Sequence, residues 1–547
     1  MKLGPLLCIP VSLIPVGSHA KAAIDAKPNI IIILSDDLGY SDIGCYGSEI
    51  RTSNIDKLAE NGVRLTQLYN PARSCPSRAS LLTGLYPHQV GVGHMTGDRM
   101  RGAIGYDGFR KDNNITIPEV LKSAGYMTFM SGKWHLGPGL PTERGFDEFY
   151  GLIGGFTSFW DKSKYTRLPE GRPQRDYMEG EFYATRAITD YATDFINIAV
   201  ENKNPFFLYL AYNAPHFPLH APKEDIDKYF DYYKRGWDAI RDERFKRMKE
   251  LGILEGDYEL SPRGVVPKSA VLDSTYQIPA WSTLSLEKQL DLARRMAVFA
   301  AMVDVMDQEI GRVIVFLKEK KIFENTLIVF LSDNGACAEW TENGFDGNSG
   351  RKFILHKGEE LNQLGQPGSY THYGTGWANV GCTPWTLYKH FAHEGGISTP
   401  FIVHWPEKIK TRGKIDARPL HITDLLATCV DVSGAKYPKT FNGHAVLPME
   451  GKSIVSVING KKSSERVICV EHEGNSMVRK GDWKMVVTGY KGKNELYNIA
   501  FDRTDQHDLS AKYPEKVHEL LEDYNKWAKR CNVLPWKEVI SLKKNAN

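Results

Sequence analysis

The sequence predicts an α/β protein with a large doubly wound sheet, mixed but mainly parallel, flanked by helices. The first observation is a set of continuous apolar runs, the pattern of strands buried on both faces of a parallel sheet. These runs span 29–34, 206–210 and 327–331. The second observation is a set of amphipathic segments between the runs, which predict the flanking helices. These segments span 55–61, 117–124 and 286–321.

Near Glu465 the sequence pattern changes to short predicted strands. This change predicts a small C-terminal α+β subdomain, an antiparallel sheet with a closing helix. Its strands are expected at 467–470, 477–479, 483–487 and 496–498, and its helix at 514–530. We therefore expect a signal peptide at 1–20, a main catalytic domain at 27–462 and the subdomain at 463–547. Within the main domain, 217–283 reads as a large insertion that either shapes specificity or is a decorative loop.

The composition of the 547-residue chain predicts a large globular enzyme. Hydrophobic residues make up 42% and charged residues 25% of the chain, a mixture that can bury a large core and argues against intrinsic disorder. The 69 Lys and Arg nearly balance the 66 Asp and Glu, so the formal net charge is +3. Because proteins that bind nucleic acids or anionic membranes concentrate positive charge, this balance argues against both partners.

The N-terminus has the features of a cleaved signal peptide. Lys2 precedes an apolar stretch from Leu3 to Val16 that is too short and too rich in proline to span a bilayer, and Ala20 ends a small-residue cleavage site. No second stretch reaches transmembrane length, so we expect a secreted or periplasmic protein. Cleavage would remove Cys8, and the remaining cysteines form no CxxC pair, which indicates neither a zinc site nor a disulfide framework.

Oxygen-bearing side chains follow two of the predicted core strands. Asp36 and Asp37 come directly after the first run, and Asp333 and Asn334 come after the run at 327–331. Open α/β sheets bind their ligands at the carboxyl ends of the strands. Four oxygen donors without Cys or His suit Ca²⁺, with Mg²⁺ as the alternative, better than zinc. The sequence therefore predicts a divalent cation site at this edge of the sheet.

The segment Ser74–Gly84, SCPSRASLLTG, resembles the signature of the sulfatase family, in the alkaline phosphatase superfamily. Counting from Pro76 and Arg78 places the modified position of that signature at Ser74. The resemblance implies a serine-type, formylglycine-dependent sulfatase, in which a radical-SAM maturase oxidises Ser74 to formylglycine. The hydrated aldehyde is then the nucleophile: one hydroxyl attacks sulfur, and the other loses a proton to expel sulfate and restore the aldehyde.

Three further segments resemble sulfatase blocks, namely GKWHLG at 132–137, NAPH at 213–216 and the lysine before EGG at 394–396. With Arg78, the implied catalytic set is Ser74, Arg78, Lys133, His135, His216 and Lys389. The implied metal set is Asp36, Asp37, Ser74, Asp333 and Asn334. We expect the lysines to bind sulfate, His216 to protonate the leaving alcohol and His135 to act on the formylglycine, although the two histidine roles could be exchanged. One departure is Ser398, where many relatives have Arg.

The expected reaction is hydrolysis of a sulfate monoester, with a sulfated sugar of a host or algal glycan as the preferred substrate. Polar and aromatic side chains near the motif blocks are candidates for the sugar pocket. They are His94, Asp98, Arg99, His372, Trp377 and Asn379. Two alternatives stay open at this point: a phosphonate monoester or phosphodiester hydrolase of the same superfamily, and a catalytically silent glycan-binding relative.

Overall fold

The structure is a computed structural model that describes residues 27–97, 99–254, 256–266, 276–339, 342–347, 352–461 and 465–546, together with residues 1 and 4. The expected signal peptide therefore lies outside the described residues, apart from Met1 and Gly4. The expected domain boundary also lies outside them, because residues 462–464 are not described. The division of the chain into 1–20, 27–462 and 463–547 stays a prediction.

The described part of the chain contains both strands and helices. Its strands are β1 (Asn29–Ser35), β2 (Val63–Tyr69), β3 (Met127–Gly132), β4 (Glu148–Gly151), β5 (Thr166–Leu168), β6 (Phe206–Ala211), β7 (Val265–Val266), β8 (Tyr276–Gln277), β9 (Thr326–Ser332), β10 (Ser398–His404), β11 (Lys414–Asp416), β12 (Leu420–His421), β13 (Thr440–Phe441), β14 (His444–Ala445), β15 (Val467–His472), β16 (Asn475–Lys480), β17 (Trp483–Val487) and β18 (Asn494–Asn498). Its helices are α1 (Ser53–Glu60), α2 (Ser74–Thr83), α3 (Ile117–Lys122), α4 (Ala184–Asn202), α5 (Lys223–Asp227), α6 (Phe230–Tyr233), α7 (Trp237–Glu250), α8 (Leu286–Glu319), α9 (Gly374–Gly381), α10 (Glu394–Ile397), α11 (Asp424–Ser433), α12 (Val455–Ile458), α13 (Pro514–Cys531) and α14 (Trp536–Ala546).

Ten of the described strands form one large mixed sheet with the order β11-β2-β10-β9-β1-β6-β3-β4-β5, and β12 pairs with β2. β1 runs parallel to β6 on one side and to β9 on the other. β10 runs antiparallel to both of its neighbours, and β5 runs antiparallel to β4. The predicted mixed, mainly parallel sheet is confirmed.

Two hydrophobic layers cover the two faces of this sheet. In β1, Ile31 and Ile33 join one layer with α4 and α8, whereas Ile30, Ile32 and Leu34 join the other with α2, α3 and α11. Successive side chains of a strand point to opposite faces, so an unbroken apolar run is what a strand covered on both faces requires. This burial explains why the sequence pattern identified the central strands.

The C-terminal α+β subdomain is an antiparallel meander, β15-β16-β17-β18, as predicted. Helix α13 covers one face through Leu520 and Trp527. The other face packs against the main domain through Val470 and Met477. The subdomain is thus docked on the domain that carries the sequence motifs.

The predicted insertion belongs to the core rather than forming a decorative loop in its described part. Arg244 on α7 pairs with Asp42 at 2.6 Å and with Glu49 at 2.7 Å, and all three side chains are buried. The Tyr229 hydroxyl donates a hydrogen bond to Asp304 on α8 at 2.7 Å. These contacts fix the segment against the loop that follows β1 and against α8.

The described cysteines are all free and buried. None of the helices in the described residues is long and apolar enough to cross a lipid bilayer.

Candidate active site

The predicted metal ligands lie together at the carboxyl edge of the sheet. Ser35 at the end of β1 stands opposite Ser332 at the end of β9, so the residues that follow both strands meet. The backbone N–H of Asp37 donates to Oδ1 of Asp333 at 3.2 Å, and Nδ2 of Asn334 donates to Oδ1 of Asp37 at 2.7 Å. With Asp36, these side chains are buried. The result is a compact group of oxygen donors inside the protein.

Ser74 is the first residue of α2, and its hydroxyl points at this oxygen group. Its Oγ lies 3.2 Å from Oδ1 of Asp36 and 3.3 Å from Oδ1 of Asn334. The free N–H groups and the dipole at the start of a helix favour negative charge at this position. The residue that the motif marks for modification therefore stands where an ionised oxygen is stabilised.

Two lysines reach the same group from opposite ends. Nζ of Lys133 lies 2.6 Å from Oδ2 of Asp36. Lys133 directly follows β3. The last residue of β3, Gly132, has φ 122°, and its backbone passes so close to β6 that a Cβ would lie 1.8 Å from the carbonyl oxygen of Ala211. Nζ of Lys389 lies 2.9 Å from Asp37. A negatively charged substrate group placed here would meet both ammonium groups.

Arg78 lies one turn along α2 from Ser74 and supports the site. Its Nε and Nη2 donate to Oδ2 of Asp333 at 3.1 and 2.9 Å, and its Nη1 donates to the carbonyl of Lys133 at 2.8 Å. Nη2 is also 3.4 Å from Oδ1 of Asp36. The guanidinium is completely buried, so it is part of the framework rather than of the open pocket.

The charges fit a divalent cation. Burial alone would raise the pKa of Asp36 and of Asp37, but Lys133 beside Asp36 and Lys389 beside Asp37 hold both well below the usual range. Burial and the neighbouring Asp36 carboxylate instead raise the pKa of Asp333. A bound cation would supply the positive charge that keeps this third carboxylate ionised. Asp36, Asp37 and His216 also lie close enough together to share a metal ion.

The two predicted catalytic histidines occupy different surroundings. Nδ1 of His216 lies 2.6 Å from the carbonyl of Phe217, which directs Nε2 towards Asp37 at 3.4 Å. Burial lowers the pKa of His216 to about 4. Burial, followed by the nearby Lys133 and Arg78, lowers the pKa of His135 well below its usual value. Burial therefore favours the neutral form of both histidines, the form that accepts a proton.

Aromatic side chains form a wall beside His216. The ring of Phe217 stacks on it with centroids 4.3 Å apart, and Phe156, which is 37% exposed, lies parallel to it at 6.0 Å. His372 extends this wall, 5.6 Å from Phe217 and stacked on Phe345 at 4.8 Å. Of the predicted sugar-pocket residues, His372 is thus placed next to the site.

The other predicted sugar-pocket residues are spread more widely, and Nδ1 of His94 lies 2.9 Å from Glu473 of the C-terminal subdomain. Trp377 is completely buried, and its indole N–H donates to the carbonyl of Leu292 at 2.9 Å, so it belongs to the core and the pocket assignment is corrected. Asn379 is also buried, with Nδ2 facing Gly264 of the insertion, and Arg99 is exposed on the surface against Gly108. Asp98 lies outside the described residues.

A further ion pair at the site was missed in the sequence. Arg73, directly before Ser74, lies 3.6 Å from Glu339, and Glu339 lies 3.4 Å from Lys389. Its neighbours hold the pKa of Glu339 well below the usual range although burial opposes them. Arg73 could have been predicted because it directly precedes the motif, whereas no sequence pattern after β9 identifies Glu339.

A guanidinium from the C-terminal part of the chain contacts Ser398, the position at which the sequence departs from the pattern it resembles. Nη2 of Arg503 donates to Oγ of Ser398 at 2.8 Å, and its Nε donates to Glu394 at 2.8 Å. Glu394 also pairs with Lys484 at 2.9 Å. The C-terminal part of the chain therefore places a guanidinium next to Ser398.

Comparison with known proteins identifies the family. The family model described as Sulfatase matches residues 28–435. The chain belongs to the sulfatase family. An arylsulfatase of Klebsiella aerogenes is 36% identical over 472 residues, covering 83% of this chain and 97% of that protein. An uncharacterized sulfatase of Schizosaccharomyces pombe is 34% identical over 530 residues, covering 92% and 93%. The sulfatase is thus a sulfuric ester hydrolase.

Solved structures agree with the fold. The crystal structure of Ps i-CgsB in complex with k-i-k-neocarrahexaose superimposes with a TM-score of 0.64 at 26% identity, covering 92% of this chain and 93% of that chain. The similarity extends over both the large sheet and the C-terminal subdomain of the sulfatase.

Proposed function

We propose that this sulfatase hydrolyses sulfate monoesters with a formylglycine made from Ser74 and a divalent cation. The observation that supports this proposal most directly is the position of the Ser74 hydroxyl, 3.2 Å from Asp36 and 3.3 Å from Asn334, beside two lysines. Asp36, Asp37, Asp333, Asn334 and residue 74 would hold the cation. All-oxygen ligands suit Ca²⁺, with Mg²⁺ as the alternative. When bound, the cation supplies positive charge that favours an ionised nucleophile.

The cationic side chains of the chain bind and orient the sulfate group. Lys133 pairs with Asp36 and Lys389 with Asp37, so the sulfate oxygens of a substrate placed against residue 74 would accept hydrogen bonds from both. Their charges offset the negative charge that shifts onto these oxygens in the transition state. Arg78 is completely buried, and it positions Asp333 and the backbone of Lys133.

The two histidines carry out the proton transfers. The alkoxide of a sugar is a poor leaving group, and His216, whose Nδ1 is fixed by the carbonyl of Phe217, can present Nε2 to it as the general acid. The anionic sulfate beside the ring favours the protonated form that this role requires. Neutral His135 is the candidate base that takes the proton from the second hydroxyl of the formylglycine hydrate as sulfate is expelled.

The preferred substrate is an O-sulfated sugar of a host or algal glycan. Phe156, which is exposed, lies beside His216 with the buried Phe217 behind it, and pyranose rings pack their apolar faces on such exposed aromatic side chains. The complex of Ps i-CgsB with k-i-k-neocarrahexaose supports a carbohydrate ligand in this fold. Aryl sulfates would be turned over as activated surrogates, in line with the arylsulfatase name of a relative.

Maturation and export complete the proposal. The serine at position 74, rather than cysteine, calls for a radical-SAM maturase as a partner, so protein made without it would fold but remain inactive. The N-terminal sequence supports a secreted or periplasmic location.

The test compares matched esters on protein produced with the serine-type maturase. Hydrolysis of nitrophenyl sulfate and sulfated monosaccharides should exceed hydrolysis of the matched phosphate monoester, phosphodiester and phosphonate. Ser74→Ala, a buried and nearly isosteric change, is the matched control and should abolish turnover. Faster phosphodiester or phosphonate cleavage would overturn the proposal in favour of the other hydrolase class. Binding of glycans without any turnover would instead support a silent relative.

A further inference from the structure

A second cluster of ligand-bearing side chains lies outside the proposed catalytic machinery. His94 comes from the loop after α2, His472 is the last residue of β15, and Glu473 begins the turn to β16. Nδ1 of His94 lies 2.9 Å from Oε1 of Glu473, and Nε2 of His472 lies 3.6 Å from the same oxygen. Ligand atoms of all three residues lie within 4.8 Å of one another. The cluster joins the C-terminal subdomain to the main domain.

The geometry points to a metal site: we propose that His94, His472 and Glu473 bind a borderline divalent cation, with Zn²⁺ as the best fit. Two imidazole nitrogens and one carboxylate oxygen are typical zinc ligands, in contrast to the all-oxygen group beside Ser74. In a tetrahedral site with bonds of about 2.0–2.1 Å, neighbouring ligand atoms are separated by roughly 3.3 Å. The observed separations of 2.9 and 3.6 Å bracket this value.

An independent observation is the state of His472. Its side chain is completely buried, and neither of its ring nitrogens has a hydrogen-bond partner among the described residues. Buried polar nitrogens are almost always satisfied, because removing them from water without a partner is unfavourable. A metal ion between His472, His94 and Glu473 would satisfy one nitrogen directly.

The surroundings of the cluster support a built site. Nδ1 of His390 lies 3.4 Å from Oε2 of Glu473, the carboxylate oxygen that the other two histidines leave free, and can orient the carboxylate. The backbone N–H of His390 donates to the carbonyl of Ala72 at 2.9 Å, two residues before Ser74. The ring of Trp536 packs edge-on against His94 at 5.2 Å and covers it. Metal binding would therefore brace the loop that precedes the nucleophile.

The experiment uses the full chain, stripped with a chelator and then kept in excess Ca²⁺ so that the oxygen site is filled. Zn²⁺ is titrated by calorimetry, and Co²⁺ serves as a spectroscopic probe of nitrogen-containing tetrahedral ligation. We expect one Zn²⁺ per chain, an increase in Tm on adding it and a tetrahedral Co²⁺ spectrum. His472→Ala and the shape-preserving Glu473→Gln should each weaken Zn²⁺ binding at least tenfold and remove the increase in Tm.

Two matched variants separate this site from the rest of the protein. His518→Ala changes an exposed histidine on α13, and Asp333→Asn changes the oxygen site; both should bind Zn²⁺ as the unmodified chain does. Absence of Zn²⁺ binding, or equal binding by His472→Ala and Glu473→Gln, would overturn the proposal. Loss of binding in Asp333→Asn alone would also overturn it, since the ion would then belong to the oxygen site. None of these outcomes depends on sulfatase activity.

Discussion

Replacing Arg78 with alanine should destabilise the folded sulfatase by about 3–5 kcal/mol, the usual cost of removing one partner of a buried ion pair. The guanidinium is completely buried and makes three hydrogen bonds to charged or backbone groups, two to Asp333 and one to the carbonyl of Lys133. At about 1.5–3 kcal/mol each, these bonds would sum to more, but they share one side chain and do not add.

Arg78→Lys tests the geometry of the same contacts. A lysine keeps the charge but cannot form the two-pronged contact with Asp333, so an intermediate loss of stability is expected. Removing positive charge also leaves the carboxylates of Asp36 and Asp333 facing each other, so the loss should be larger in chelator than in Ca²⁺, whose binding favours the folded state.

The assay is chemical denaturation followed by tryptophan fluorescence, with and without Ca²⁺. Arg101→Ala, an exposed arginine, is the control and should change stability by no more than about 0.5 kcal/mol. A loss of less than about 1 kcal/mol for Arg78→Ala, the range of surface ion pairs, would refute the reasoning. So would equal losses in chelator and in Ca²⁺.

Two further predictions concern the leaving group and pH. His216→Ala should reduce hydrolysis of sugar sulfates far more than that of nitrophenyl sulfate, because only the sugar alkoxide needs a proton to leave; equal reductions in kcat/KM for both substrates would exclude His216 as the general acid. Although burial opposes them, Lys484 and Arg503 hold the pKa of Glu394 well below its usual value. Glu394 therefore contributes stability at neutral pH that is lost as the pH falls below the usual pKa of a glutamic acid. The free energy of unfolding, measured from pH 7 to pH 3, should fall less steeply for Glu394→Gln than for the unmodified chain. Parallel curves would count against a contribution of the ionised Glu394 carboxylate to stability.

The central strands were predictable because their environment leaves a simple pattern. Strands β1, β6 and β9 are covered on both faces, so their sequences are apolar without alternation, and the predicted bounds differ from the observed ones by one residue at one end of β1 and β6 and at both ends of β9. The polar residues after β1 and β9 were predicted to share an edge, because neighbouring parallel strands end on the same side. Strand order and the antiparallel direction of β10 depend on long-range packing and leave no such pattern.

The site was predictable only where a motif fixes it. Ser74, Arg78 and Lys133 sit in short segments whose spacing identifies them, and the structure brings them together. Trp377 could not be told from a pocket residue, because an aromatic side chain in the core and one in a sugar pocket have the same sequence signal. Glu339 and Glu473 meet their partners through loops and a hairpin from distant parts of the chain, and no local pattern records such contacts.

The most direct test of the account is mass spectrometry of the peptide that carries residue 74, from protein made in its own host. Trypsin cleaves after Arg73 and Arg78 and releases Ser74–Arg78, with a longer missed-cleavage form as an alternative. The account predicts that Ser74 has lost two hydrogens and that the resulting aldehyde reacts with a hydrazine. An unmodified serine in host-made protein that still hydrolyses sulfate esters would contradict the formylglycine mechanism.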